Sequence, residues 1–310
     1  MPVREPADER QRAALAAVVA AARSHDLDPS GAGIWRAGSA VLVALPAVPA
    51  LARVDEPTRA DDARRQVAVA RLLRVVEVEA VRTVGPVDQP LATSAGPLTL
   101  WAWVPPVGRP AGPRELGQVA RRLHDRTRDL RPDHHDRNVP SVPAHDSIGT
   151  LRAELARAAE SGTTSSDDLD RLHAVADRLT SMWPDAHDDP LGAALVHGDL
   201  HRSNVVAGAD GPVLADLELA GWGPASIDVA PQVVAVRRYA AEPAGLEEFL
   251  AGYGADPRGW PGLEVLIEAY ELWVTTWAVA NRGTSERSER EAQVRLDRWR
   301  SGSSAPWSLR

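Results

Sequence analysis

From residue 8 to residue 25 the chain is alanine-rich, with a helical pattern that ends at the turn-forming run 26–33. Three short apolar runs follow, 34–37, 40–45 and 50–54, separated by Gly38-Ser39 and by the stretch from Pro46 to Pro49. Apolar runs punctuated by turns predict three strands joined by tight connections. Between Asp61 and Val76 the apolar residues Ala63, Val67, Ala70, Leu72 and Leu73 return to roughly helical spacing. A further hairpin is expected through 80–87 and 97–104, closed by Pro105-Pro106.

Beyond that point the strands nearly stop. Helical patterns run over 114–130, 147–160 and 166–183, and again through most of 226–301. The stretch 131–146, rich in His, Pro and Asp, reads as a surface loop. One short apolar strand, 193–196, leads into His197-Gly198-Asp199, and a hairpin is expected from 204–207 and 213–217 around the turn 208–212. A strand-rich first third therefore precedes a helix-rich remainder, with a hinge expected between Val104 and Gly112. The layout is α+β in two lobes: a small antiparallel-sheet lobe over 1–104, carrying the helix 8–25, and a larger, mainly helical lobe over 105–310.

Composition narrows the function. Hydrophobic residues make up 44% of the 310 positions and charged residues 25%, enough to build a soluble core. A net charge of −8 gives no reason to expect a nucleic acid or an anionic membrane as partner. The N-terminus is too polar for a signal peptide or a membrane span, so the expected location is cytoplasmic. Cysteine is absent, which excludes disulfides, thiolate metal sites and cysteine nucleophiles. Lysine is absent too, so all 35 basic residues are arginine and any step that elsewhere uses lysine falls to a guanidinium.

The densest chemical signal is His197-Gly198-Asp199-Leu200-His201-Arg202-Ser203-Asn204, followed across the hairpin by Asp216 and Glu218. Phosphoryl transfer to an alcohol needs a carboxylate to accept the hydroxyl proton and oxygen ligands that hold Mg²⁺ against the phosphates. Asp199 supplies the first; Asn204 and Asp216 supply a neutral and a charged oxygen for the second. Glu218 reads equally well as a second carboxylate near the metal or as a structural group. A zinc hydrolase would want further histidines at defined spacing, and the remaining ones show none.

His197, Asp199 and Asn204 match the H-x-D-x-x-x-x-N loop of protein-kinase-like folds, and the form His-Gly-Asp-Leu-His-x-x-Asn resembles the aminoglycoside phosphotransferase and choline-kinase-like branch. The resemblance is dense over 195–231 and implies an ATP-dependent small-molecule kinase whose first lobe binds nucleotide and whose second carries catalysis and the acceptor. It places Asp216 at the metal-binding Asp, and Asp228, in Gly221-Trp222-Gly223-Pro224…Ile227-Asp228, at the residue that brace the catalytic loop in that family. His197 and His201 are expected to support the loop. Arg53 stands where the family carries its phosphate-binding lysine, and Gln66 where it carries the glutamate that pairs with it. If the register is off by a turn, Glu56, Asp61 or Asp62 takes that place. Gly38-Ser39 is the candidate phosphate turn, and the main chain at Trp103 and Val104 the candidate adenine contact.

The resemblance further implies ATP, or GTP, with Mg²⁺ as cofactors. The partner is a small-molecule hydroxyl acceptor: a sugar, an aminoglycoside or an amino alcohol. It would bind near Glu268, Glu271 and Trp273 to a protein acting as a monomer or homodimer. The altered Arg53/Gln66 pair opens a second reading, a nucleotide-binding scaffold with little turnover.

Overall fold

A computed structural model describes residues 1–85, 87–107, 109–130 and 140–308. In chain order its elements are α1 (Glu9–Ser24), β1 (Gly33–Ala37), β2 (Val41–Leu45), β3 (Ala50–Val54), α2 (Ala60–Val75), β4 (Leu91–Thr93), β5 (Gly96–Ala102), α3 (Pro113–Thr127), α4 (Ser147–Ser161) and α5 (Ser166–Ser181). They continue with β6 (Ala193–Val196), β7 (Val205–Gly208), β8 (Gly211–Leu214), β9 (Gly221–Pro224), α6 (Ala230–Arg238), α7 (Pro243–Tyr253), α8 (Pro261–Ala280) and α9 (Glu286–Ser301). No helix among the described residues is long and apolar enough to cross a membrane.

The chain divides into two compact units that interleave in sequence. One holds Met1–Pro110, the stretch ending at Pro143 and Asn204–Ala220; the other holds α3, Ala144–Ser203 and Gly221–Arg310. The first is built on a five-stranded antiparallel sheet in the order β1-β2-β3-β5-β4. The apolar run 50–54 forms β3 and alternates in burial: Ala50, Ala52 and Val54 are buried while Leu51 and Arg53 are half-buried on the other face. Helix α1 opens at Asp8, whose carboxylate accepts from Gln11 N at 2.8 Å. Its Ala14, Val18 and Ala22 join Ile34, Val43, Leu45, Leu98 and Leu100 in one apolar cluster. The β7–β8 hairpin belongs to this unit as well.

The second unit is mainly helical. Leu151 and Leu155 of α4, Leu172 and Leu179 of α5, Leu272 of α8 and Leu296 of α9 form its apolar core. Strands β6 and β9 pair antiparallel, and His145 N donates to Trp222 O at 2.9 Å along the outer side of β9. Gly221 permits that approach, since a Cβ there would stand 2.6 Å from His145 N.

Two expectations need correction, and one strand was not foreseen. The strands paired with β5 are β3 and β4, and among the described residues the 80–87 segment meets β5 antiparallel only at one bridge, Thr83 opposite Trp101. That earlier segment divides its hydrogen bonds between two sheets: Val81 N donates to Leu214 O at 2.8 Å and Val84 N to Leu100 O at 2.9 Å. The expected hairpin over 204–217 is shorter and tighter than its apolar pattern suggests. Gly211 and Pro212 lie inside β8, and β8 ends at Leu214 because Asp216 turns to φ +59°. Strand β9 was hidden by its glycines, which lower strand propensity but admit close backbone neighbours. Of the loop expected over 131–146, residues 131–139 lie outside the described residues.

Candidate active site

In the first unit, Asn204 and Asp216 flank the β7–β8 hairpin at the same end. The register pairs Val205 with Leu214, and Ala215 N donates to Asn204 O at 2.9 Å, so Asn204 stands one residue and Asp216 two residues beyond the paired strands at that end. Asp216 adopts a left-handed backbone, a conformation that Asp tolerates better than most residues and that re-aims its side chain. Asn204 is buried, whereas the Asp216 side chain is 45% exposed. One neutral and one charged oxygen, the latter open to solvent, fit a hard cation that keeps waters and takes further ligands from phosphate.

A cation already sits on that carboxylate: Arg53 Nη1 donates to Asp216 Oδ1 at 3.1 Å. Arg53 also donates through Nε to Asp55 at 2.9 and 3.0 Å, and through Nη2 to Glu218. Burial works against the guanidinium charge, but Glu218, Asp55 and Asp216 outweigh it and push its pKa up. The site therefore keeps a permanent cation among Asp55, Asp216 and Glu218. Asp55 pays for its position through burial, which raises its carboxyl despite the charge of Arg53.

The expected partner of Arg53, Gln66, is not among these contacts. Its side chain is buried with Nε2 unbonded, and the acids on Arg53 come instead from the end of β3 and from just past β8. A neutral amide cannot compete with three carboxylates for a guanidinium. On the same helix, Asp62 stands near Arg59 and Arg53; burial raises its carboxyl, and Arg59 opposes the rise. Of the other nucleotide-side candidates, Gly38 N donates to Ala40 O at 2.9 Å inside its turn, and Arg10 of α1 binds the carbonyls of Gly38 and Ser39. Trp103 N donates to Pro49 O at 2.8 Å and its ring meets Trp35 edge-on; Val104 follows, half-buried.

In the second unit, the loop after β6 carries Asp199. Tyr270 of α8 donates its hydroxyl to Asp199 Oδ1 at 2.6 Å, and His201 Nε2 lies 3.3 Å from Oδ2. Burial and the adjacent Asp199 carboxylate push the Tyr270 phenol well above its ordinary pKa, so it remains a donor. The loop is braced from below by Asp228, which is fully buried and accepts from His197 N and Gly198 N, each at 2.9 Å. Gly198 reaches this position at φ +84°, a backbone that a side chain would strain. His124 Nε2 of α3 lies 3.0 Å from Asp228, and its other ring nitrogen 2.9 Å from the Tyr253 hydroxyl. Burial alone would raise Asp228; its hydrogen bond to His124 and the charges of His124 and His197 overcome that and hold it below the usual carboxylate range. Gln232 ties the loop again, donating to Leu200 O at 2.6 Å.

The expected acceptor carboxylates are occupied. Glu271 is buried and receives two bonds from Arg238 at 2.8 and 3.0 Å, so it serves α6–α8 packing and offers no open oxygen to a ligand. Glu268 is bound by Arg178 of α5 at 2.7 Å. Trp273 is half-buried, with its ring 5.5 Å from that of Tyr270.

Sequence reasoning missed Asp55, Tyr270 and His124. Asp55 carried a signal, since a residue two beyond Arg53 on a strand shares its face. His124 carried a weaker one, lying on the apolar side of α3 with Leu116, Ala120 and Leu123. Nothing in sequence ties Tyr270 to a residue 71 positions away.

Comparison with known proteins agrees with this picture. Residues 39–266 match the family model described as Phosphotransferase enzyme family. No curated protein matches the chain. Among solved structures, a choline/ethanolamine kinase family protein from Mesorhizobium loti is similar at 15% identity and TM-score 0.60, with 92% of each chain covered. An amicoumacin kinase in complex with AMP-PNP, Ca²⁺ and Ami is similar at 13% identity and TM-score 0.66, over 91% of this chain and 92% of that one. An aminoglycoside phosphotransferase from Streptomyces rimosus is similar at 17% identity and TM-score 0.56, over 81% of this chain and 97% of that one. At such identities the likeness establishes the protein-kinase-like fold.

Proposed function

Because the chain belongs to the phosphotransferase enzyme family, and so is an ATP-dependent small-molecule kinase, we propose that Asp199 is its catalytic base and that Asn204 and Asp216 hold Mg²⁺. Asp199 accepts the proton of the acceptor hydroxyl as its oxygen attacks the γ-phosphorus; the bond from that phosphorus to the bridging oxygen breaks, and ADP leaves. Bound at Asn204 and Asp216, Mg²⁺ would neutralise charge on the phosphate oxygens. Arg53 exchanges a carboxylate for a phosphate as nucleotide enters, its fork suiting either partner. Tyr270 and His201 fix the Asp199 carboxylate, and Asp228 fixes the loop beneath it. In the same proposal the unit built on the five-stranded sheet binds the nucleotide and the helical unit binds the acceptor.

The observation that carries the reading is the convergence of Asn204, Asp216 and the Arg53 cation at one end of a single hairpin. The scaffold alternative lacks such support, since a protein without turnover has no chemical need to keep these groups as well as Asp199. ADP release, measured with ATP and Mg²⁺ across sugars, aminoglycosides and amino alcohols, tests the proposal. Turnover on at least one acceptor is expected; thermal stabilisation by ATP and Mg²⁺ without turnover on any would return the protein to the scaffold reading. Substituting GTP for ATP in the same assay fixes the nucleotide.

A further inference from the structure

The register of the first sheet sets the turn 38–40 beside the end of β3. Val41, the first residue of β2, pairs with Val54, so the turn before it lies at the sheet end that carries Arg53 and Asp55. The two faces of that end differ. Ala50, Ala52 and Val54 join α1 in one apolar cluster, while Arg53 stands on the opposite face.

One side chain of α1 reaches the turn. Arg10 Nη1 donates to Gly38 O at 2.8 Å, and its Nη2 donates to Ser39 O. The same Nη2 lies 3.9 Å from Glu56, the residue after Asp55. A guanidinium carries its donors in a rigid planar fork, so one side chain fixes two successive carbonyls. In a trans peptide the C=O and the N–H of one plane point in opposite directions. With both carbonyls drawn to the side of α1, Ser39 N–H and Ala40 N–H point away from it, towards the face that carries Arg53. Among the described residues neither amide donates to a protein acceptor. Two successive N–H groups turned the same way suit an oxyanion, and the carbonyls that would repel one are held on the far side.

We propose that Arg10 is a positioning residue for the nucleotide: it sets the peptide planes of the turn so that Ser39 N–H and Ala40 N–H donate to a phosphate oxygen of ATP on the side of Arg53. The inference rests on the reading of this unit as the nucleotide binder. Helix α1 thereby does more than cover the sheet. In a chain without lysine, two guanidiniums serve the phosphates, Arg53 by contact and Arg10 by orienting the turn.

Titration calorimetry of the full chain with ATP and Mg²⁺, and separately with adenosine, tests the assignment. Arg10→Met should weaken ATP by about tenfold and leave adenosine within about twofold, because only ATP offers phosphates to the turn. Hydrogen exchange of amides 38–41, followed by mass spectrometry without nucleotide, should quicken in the same variant while the rest of the sheet is unchanged. The fold survives the substitution, since α1 is held by its buried Gln11, Ala14, Val18 and Ala22 and the Arg10 side chain is 45% exposed. Arg12→Met removes an equal charge from the same helix without touching the turn, and should leave ATP affinity within about twofold. ATP affinity indifferent to Arg10→Met, an equal loss for adenosine or in Arg12→Met, or unchanged exchange at 38–41 would each overturn the assignment alone. A native chain that bound no ATP would overturn the nucleotide reading, and the assignment with it.

Discussion

Asp228 and Arg53 show how single side chains decide the site. With no exposed surface, Asp228 spends its carboxylate on His197 N, Gly198 N and His124, so removing it strands two amides and an imidazole in the interior. Asp228→Ala should therefore lower stability by about 3–5 kcal/mol, read as a fall in the urea midpoint. An unchanged midpoint would make the brace dispensable. Arg53 is the charge through which phosphate is held in the proposed mechanism. Losing charge-assisted bonds of this kind, in Arg53→Met, should weaken ATP binding by roughly 10- to 100-fold in titration calorimetry. At this scale the candidate loop could be picked out because its residues are compressed into eight consecutive positions and one strand end. The surroundings could not. Gln66 was placed by helix register alone, while Asp55, nearer in sequence and charged, holds Arg53. Tyr270 and His124 reach their partners only through tertiary packing.

Between elements, the structure is tied by arginine. Arg300 of α9 grips Asp168 of α5 at 2.7 and 2.8 Å. That bond, against a desolvation that opposes it, lowers the Asp168 carboxyl from an ordinary 3.8 to about 2. A carboxyl depressed by folding contributes stability that is full above its unfolded pKa and is lost as pH falls through its folded one. The α5–α9 clamp thus works above about pH 4 and fades towards pH 2. Arg300→Met should cost about 1–2 kcal/mol at pH 7 and move the acid-unfolding midpoint upward, as followed by circular dichroism; coincident acid transitions would show that the clamp is idle. Helices and the first three strands were readable because local pattern and burial agree, as with Val43 and Leu45 or Leu172 and Leu179. Strands β4 and β9 were not. The first is three residues long, and the second is half glycine, so neither bears a period to detect.

At the scale of the molecule, the fold class was evident from the change of period near residue 104, yet the two units exchange segments that no linear boundary conveys. Asn204–Ala220 returns to the unit of the first sheet, a consequence of backbone pairing such as that of Val81 with Leu214. The acceptor remained unread because acidic residues on a helix look available in sequence and prove neutralised in space, as Glu268 and Glu271 do. The account depends most on Asp199 as the group that takes the acceptor proton. Transfer of ³²P from γ-labelled ATP to an accepted hydroxyl compound, compared between the native chain and Asp199→Asn, tests this most directly. A fall in kcat of roughly 10²- to 10⁴-fold with ATP affinity preserved is the predicted result; transfer at an undiminished rate would contradict it.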